Sequence, residues 1–308
     1  MNQILANLVF FSLAQTAPLT SSGTIYAEAQ SFAFAPGGTR FVAGMADMTV
    51  KIYDAKTAKE IKNFKLPGNP FPCPAVAWSP RGDLVAAGAE NGSIHVWNVN
   101  TGNVFTLRGH IRGIQSLAFH PSGLQIVSTG HDDVVRIWDL KKRKTVVTIL
   151  GKGINLYNAK FDAMGKRVFC ATLARGIAIY KPNGQLLKYW KAREEGVNDV
   201  DANRPFTLAA DAGRDSRIGI WDLKQGKRIS YLSGHGDWVV NVKISPNGKY
   251  IASSSSDGKV ILWDLKKLKR AMTLEGQSLV GSPLAWSGDG SFLLTLSDAG
   301  YIRIWRAK

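Results

Sequence analysis

The side chains that most often carry chemistry are thinly spread in this chain of 308 residues. None of its five histidines, His95, His110, His120, His131 and His235, has a second metal ligand four residues on, so no helical metal pair is encoded. Asp132 and Asp133 directly follow His131, which keeps that histidine in view as a functional residue. Cys73 and Cys170 are too few for a disulfide framework and lack the spacing of metal-binding thiolates. Gly151-Lys152-Gly153 lacks the spacing of a phosphate-binding loop. No catalytic motif, metal site or cofactor is predicted.

Composition narrows the class. Thirty-nine Lys and Arg against 23 Asp and Glu leave a net charge of +16, which permits an anionic partner without choosing one. With 45% hydrophobic and 10% aromatic residues the chain is neither disordered nor of low complexity. No run of 18 apolar residues predicts a membrane-spanning helix. Length alone suggests roughly two domains at about 150 residues each. Abundant Gly and Trp point instead to many short strands and tight turns.

A repeat supplies the elements. Aromatic anchors stand at Tyr53, Trp97, Trp138, Tyr180, Trp221, Trp263 and Trp305, at intervals of 44, 41, 42, 41, 42 and 42 residues. Fifteen residues before the anchor lies Gly38, Gly82, Gly123, Gly165, Gly248 or Gly290, with the fifth repeat departing through Arg204-Pro205-Phe206. Pairs such as Gly109-His110 and Gly234-His235 make a third mark. Between the marks each repeat holds four strand-like runs; in the third they are VFTLR, IQSLAFH, QIVSTG and VVRIWDL. Each unit is therefore predicted to be a four-stranded antiparallel sheet with two apolar faces, stable only when neighbours stack on it in a closed ring.

The Gly-His, Pro-x-Gly and Trp-Asp marks resemble the WD-repeat β-propeller family over roughly residues 18–308. The resemblance implies an all-β fold: a single seven-bladed propeller of four-stranded antiparallel blades, its last blade closed by an N-terminal strand near residues 16–23. It also implies structural tetrads in which a buried Trp N–H is satisfied through Ser or Thr, His and Asp. His110, Ser128, Asp132 and Trp138 match in repeat three, and His235, Ser253, Asp257 and Trp263 in repeat six. These sets are expected to be struts and not nucleophile triads. Repeats one and four, with Tyr at the anchor and no His, should lack the network, and the other blades keep fragments.

The domain division is 1–15 as an apolar N-terminal segment and 16–308 as the propeller. Ile4 to Leu13 is apolar, and Ser12-Leu13-Ala14 resembles a signal-peptidase site, so export is one reading. Against it, no Lys or Arg precedes the run, and a cytoplasmic protein whose ILANLVFF segment is the closing strand or an extra outer one is the other reading. The proline-rich stretch from Pro67 to Pro74 reads as a stiff spacer between the first two blades.

In a propeller the turns alternate between two faces. The turns after the anchor strand and after the innermost strand share a basic face carrying Lys141, Lys142, Arg143, Lys144, Lys227, Arg228, Lys266, Lys267, Lys269 and Arg270. The opposite face mixes charges and offers Arg112, His131, Tyr157, Arg193, Trp238, Tyr301 and also Phe71 as partner-binding candidates. Near the axis, equivalent positions of blades four to six hold Lys160, Asp201 and Lys243, predicted to form an ion cluster with Asp201 between the two amines. With one carboxylate, Asp199, among the seven residues that begin the inner strands, a metal-dependent propeller hydrolase is disfavoured. The expected function is thus a monomeric, non-catalytic scaffold binding an unidentified protein or peptide. The alternative is a binder of nucleic acid or an anionic membrane surface through the basic face.

Overall fold

The computed structural model describes residues 18–67, 74–173, 176–279 and 282–308, and every regular element of more than a turn among them is a strand. Phe71, Cys73 and the Ser12-Leu13-Ala14 site lie outside the described residues. No helix among the described residues is long and apolar enough to cross a membrane.

Five sheets have four strands each, and a sixth has seven. The seven-stranded sheet is two blades sharing one strand, Leu19–Phe34. Its first part pairs with Tyr301–Ala307 and its last part with Arg40–Met45. Register shifts after Ser21, Ile25 and Ala29 bend this strand so that it can leave one blade and enter the next. Seven blades result, as expected, and the inner strands touch in sequence from blade one round to blade seven and back to Leu19–Phe34. The place open to a closing strand is taken by Leu19–Ile25, slightly later than predicted, and the ILANLVFF segment lies outside the described residues.

One expectation about the repeat is corrected. The four runs between two successive marks do not form one sheet. Val104–Leu107, the first run of the third repeat, is the outer strand of blade two, and blade three runs from Ile114–Phe119 to Lys144–Leu150. The sequence unit is offset from the blade by one strand, so each unit ties two neighbouring blades together.

Period-two alternation explains how the blades stack. In blade six, Ile261 and Trp263 pack towards blade five, while Val260 and Leu262 pack towards blade seven. The same division recurs all round, giving an apolar cluster in each of the seven gaps between blades rather than one central core. Each fully buried Val, Leu or Ile in a gap contributes about 1.5–3 kcal/mol. The axis itself is left to the edges of the inner strands.

Candidate interaction surfaces

Blades three and six hold the same buried network. The Trp138 indole N–H donates to Ser128 Oγ at 2.8 Å, and Ser128 Oγ lies 2.8 Å from His110 Nε2. His110 Nδ1 lies 2.8 Å from Asp132 Oδ1. In blade six the matching distances are 2.8, 2.8 and 3.0 Å through Trp263, Ser253, His235 and Asp257. A neutral imidazole with its proton on Nδ1 satisfies every group: Trp donates to Ser, Ser to Nε2, and Nδ1–H to the carboxylate. Burial depresses both histidines in agreement with that tautomer, against the upward pull of their aspartates. The two carboxylates also reach forward. Asp132 accepts from the Ile111 N–H at 3.1 Å and Asp257 from the Gly236 N–H at 2.8 Å, so each network pins the loop that enters its blade.

Blade five was expected to keep only fragments, yet it carries a complete network built from charges. Asp211 accepts from the Trp221 indole and from Arg193, whose Nε is 2.8 Å away, and Arg193 also pairs with Asp215. Arg193 is 6% exposed, so it is not available on the mixed face as predicted. The missed signal lay in the spacing. Arg193, Asp211 and Asp215 precede Trp221 by 28, 10 and 6 residues, as His110, Ser128 and Asp132 precede Trp138. Gly219 makes room for the larger network, because a Cβ there would collide with the Asp211 carboxylate.

The axial cluster forms with a different pairing. Lys160 Nζ is 3.1 Å from Asp201 and 3.8 Å from Asp199, while Lys243 pairs with Asp199 and not with Asp201. Asp199 is 1% exposed and also accepts from Asn158 Nδ2 and the Val242 N–H. Burial alone would push its carboxyl up, but the two amines and the Val242 N–H outweigh burial and hold it below the usual range. Two-residue alternation puts Asp199 and Asp201 on the same side of one strand, which is why the pair acts together.

On the mixed face, the segments leading into the inner strands, loops or, at Tyr26, the register shift of Leu19–Phe34, lift apolar side chains into solvent. Exposure reaches 83% at Ile111, 64% at Leu279, 80% at Tyr26 and 48% at Trp238. Trp238 stacks under the Arg214 guanidinium at 4.9 Å. Tyr26 meets Tyr301 edge-on at 5.3 Å. Arg112 is exposed, His131 Nδ1 accepts from Gln115 Nε2 at 3.1 Å, and Tyr157 is half-buried. Ile111, Leu279 and Tyr26 went unnoticed in the sequence although each falls 26 or 27 residues before its anchor, just after the Gly-His position.

On the basic face, Lys141, Lys142, Arg143, Lys144, Lys227, Lys266, Lys267, Lys269 and Arg270 are exposed. Arg143 lies over the Phe105 ring at 4.7 Å. Arg228 departs from the expectation: it is half-buried between Tyr231 and Trp221, 4.1 and 5.5 Å from their rings, and donates to the Ala192 carbonyl. Its charge serves the seam between blades four and five.

Comparison with known proteins agrees with this geometry. The profile of the WD domain, G-beta repeat, matches residues 20–54, 226–264 and 273–306, and that of WDR54 matches residues 43–150. The chain is 27% identical over 206 residues to Periodic tryptophan protein 2 of Arabidopsis thaliana, covering 66% of this chain and 23% of that protein. It is 29% identical over 204 residues to Nuclear distribution protein PAC1 of Coccidioides posadasii, covering 63% and 39%. It is 23% identical over 238 residues to Cell division cycle 20.1, cofactor of APC complex, of Arabidopsis thaliana, covering 72% and 51%. The matched part thus spans from about a quarter to about half of each of these relatives. Seven stacked blades, the Trp-centred networks and these matches place the chain in the WD-repeat β-propeller family.

Proposed function

We propose that the protein is a non-catalytic scaffold that binds a protein or peptide partner through its mixed face, with residues 16–308 acting as one monomeric repeat domain. The observation that carries this reading is the coupling of exposed apolar side chains to loops fixed from below. Ile111 stands in solvent while its own N–H is held by Asp132, and Trp238 follows two residues after the Gly236 N–H held by Asp257. A partner meeting such loops loses little freedom to ordering, and Trp and Arg are the side chains that most often anchor interfaces. Catalysis is disfavoured by the same geometry. Ser128 and Ser253 are fully buried and their hydroxyls already serve an indole and an imidazole, so neither is a free nucleophile.

The test is affinity purification from native lysate with wild type and an Ile111→Glu/Trp238→Glu variant, at low and high salt. Both sites are exposed, so the variant should melt within a few degrees of wild type. The reading expects a protein partner that survives high salt and falls at least tenfold in the variant; undiminished recovery of that partner would sink it.

A further inference from the structure

The apolar cluster that fills the gap between blades four and five comes to the surface at the outer rim of the basic face, in a groove of about 370 Å³. Its walls are Ile179 and Trp190 of blade four and Phe206 and Leu223 of blade five. Trp190 is held in place by stacking on the anchor Trp221, with ring centroids 5.7 Å apart. Leu187, on the outer strand Leu186–Lys191, stands exposed at the edge of the groove.

Phe206 sets this blade apart from the others. Six of the seven blades place glycine in the turn after the inner strand, with φ between 68° and 78°. Blade five places Phe206 there at φ 58°, a left-handed backbone that a bulky side chain adopts only under strain. The ring is held by Phe169, 4.9 Å away, and by the Arg167 guanidinium, 4.8 Å away, and it gives the groove a wall that glycine could not.

The charge around the groove has one sign. Arg167, Lys188 and Lys224 line it, all three are exposed, and no carboxylate joins them. None of the three forms an ion pair among the described residues. Asp162 and Asp222, in the same turns as Arg167 and Lys224, accept from backbone N–H groups of those turns. The cations also stand on separate elements: the turn after the inner strand of blade four, the outer strand of that blade, and the turn after the anchor strand of blade five. A lone carboxylate, as on a fatty acid, meets one of them. A chain segment with acidic residues on both sides of an apolar one meets all three while its apolar side chain fills the groove.

We propose that this groove binds an acidic peptide segment of a partner protein, seating one apolar side chain against Trp190 and Phe206, with the flanking carboxylates facing Arg167, Lys188 and Lys224. The inference rests on the scaffold reading for the class of partner, a protein segment, and uses none of the mixed-face residues.

The experiment titrates the full chain with three capped pentapeptides and with laurate, and follows heat and tryptophan fluorescence. One peptide carries leucine between two pairs of aspartates, one carries leucine between two pairs of lysines, and one is all aspartate. The proposal expects the first to bind at least tenfold more tightly than either other peptide and more tightly than laurate. Lys188→Glu/Lys224→Glu, at two exposed side chains, should melt as wild type does and weaken that binding at least tenfold. Phe206→Gly, which restores the residue of the other six blades, should weaken it severalfold. The Ile111→Glu/Trp238→Glu variant should bind as wild type does, so this site and the mixed-face site can fail separately. Absence of binding, equal binding of the lysine or the all-aspartate peptide, tighter binding of laurate, or indifference to Lys188→Glu/Lys224→Glu would each overturn it.

Discussion

At the scale of residues, the protein shows two chemical solutions to one problem: satisfying a buried indole N–H. Blades three and six use neutral Ser and His, and blade five uses Asp211 and Arg193. The charged version is the more brittle, since removing one partner leaves the other buried and uncompensated. Arg193→Ala should therefore cost about 3–5 kcal/mol in chemical denaturation. An Arg193→His/Asp211→Ser double variant, which rebuilds the neutral network, should recover most of that loss; if it melts no better than Arg193→Ala, the equivalence of the two networks is wrong. The buried neutral histidines predict an acid limb. Burial lowers His95 from its ordinary 6.5 to about 4, with Arg108 adding to the effect, and burial also lowers His110 and His235. Below pH 6.5 the unfolded chain takes up protons that the folded chain refuses, so stability is full above that value and is lost as pH falls towards 4. Thermal melts across that window should show a declining midpoint, and the decline should be shallower in His95→Asn.

At the scale of elements, the shared strand Leu19–Phe34 decides whether the ring exists. Without Leu19–Ile25, the strand Tyr301–Ala307 becomes an open edge, and Leu19 is lost from the gap between blades six and seven. Deleting residues 1–25 should replace a single sharp melt with a broad or aggregating one, readable by calorimetry and size exclusion; an unchanged melt would show that blade seven stands without its fourth strand. Much of this architecture could be read beforehand, because anchors, turns and the period-two pattern are local marks that recur at one interval. The offset between repeat and blade was not legible, since the linear order of four strands is the same whichever strand is counted first. The charged network in blade five hid for a related reason: its side chains differ in type from the others and agree only in position. The choice of Asp199 over Asp201 as partner for Lys243 depends on how a lysine stem reaches across a neighbouring strand, which spacing does not encode.

At the scale of the whole molecule, charge is sorted between two faces while structure is shared evenly among seven gaps. Nine exposed lysines and arginines on the turns of one face give a second reading of function, the binding of a polyanion. If that face is used so, retention on immobilised heparin should fall steeply and linearly on a log–log plot against salt, and Lys141→Glu/Lys142→Glu should reduce the slope by about two. A slope near zero would leave the basic turns with a role in solubility only.

The joint between Leu19–Ile25 and Tyr301–Ala307 also sets an order of events during synthesis. Thr20 meets Arg306, 286 residues further on. At ribosomal speeds of about 5–20 residues per second, the early half of that joint waits on the order of 15–60 s for its counterpart. The waiting segment is Thr20-Ser21-Ser22-Gly23-Thr24, polar and poor in aliphatic side chains, a composition that discourages a nascent strand from pairing with a stranger. Its sequence thus suits a latch that must stay idle until Tyr301–Ala307 has been made.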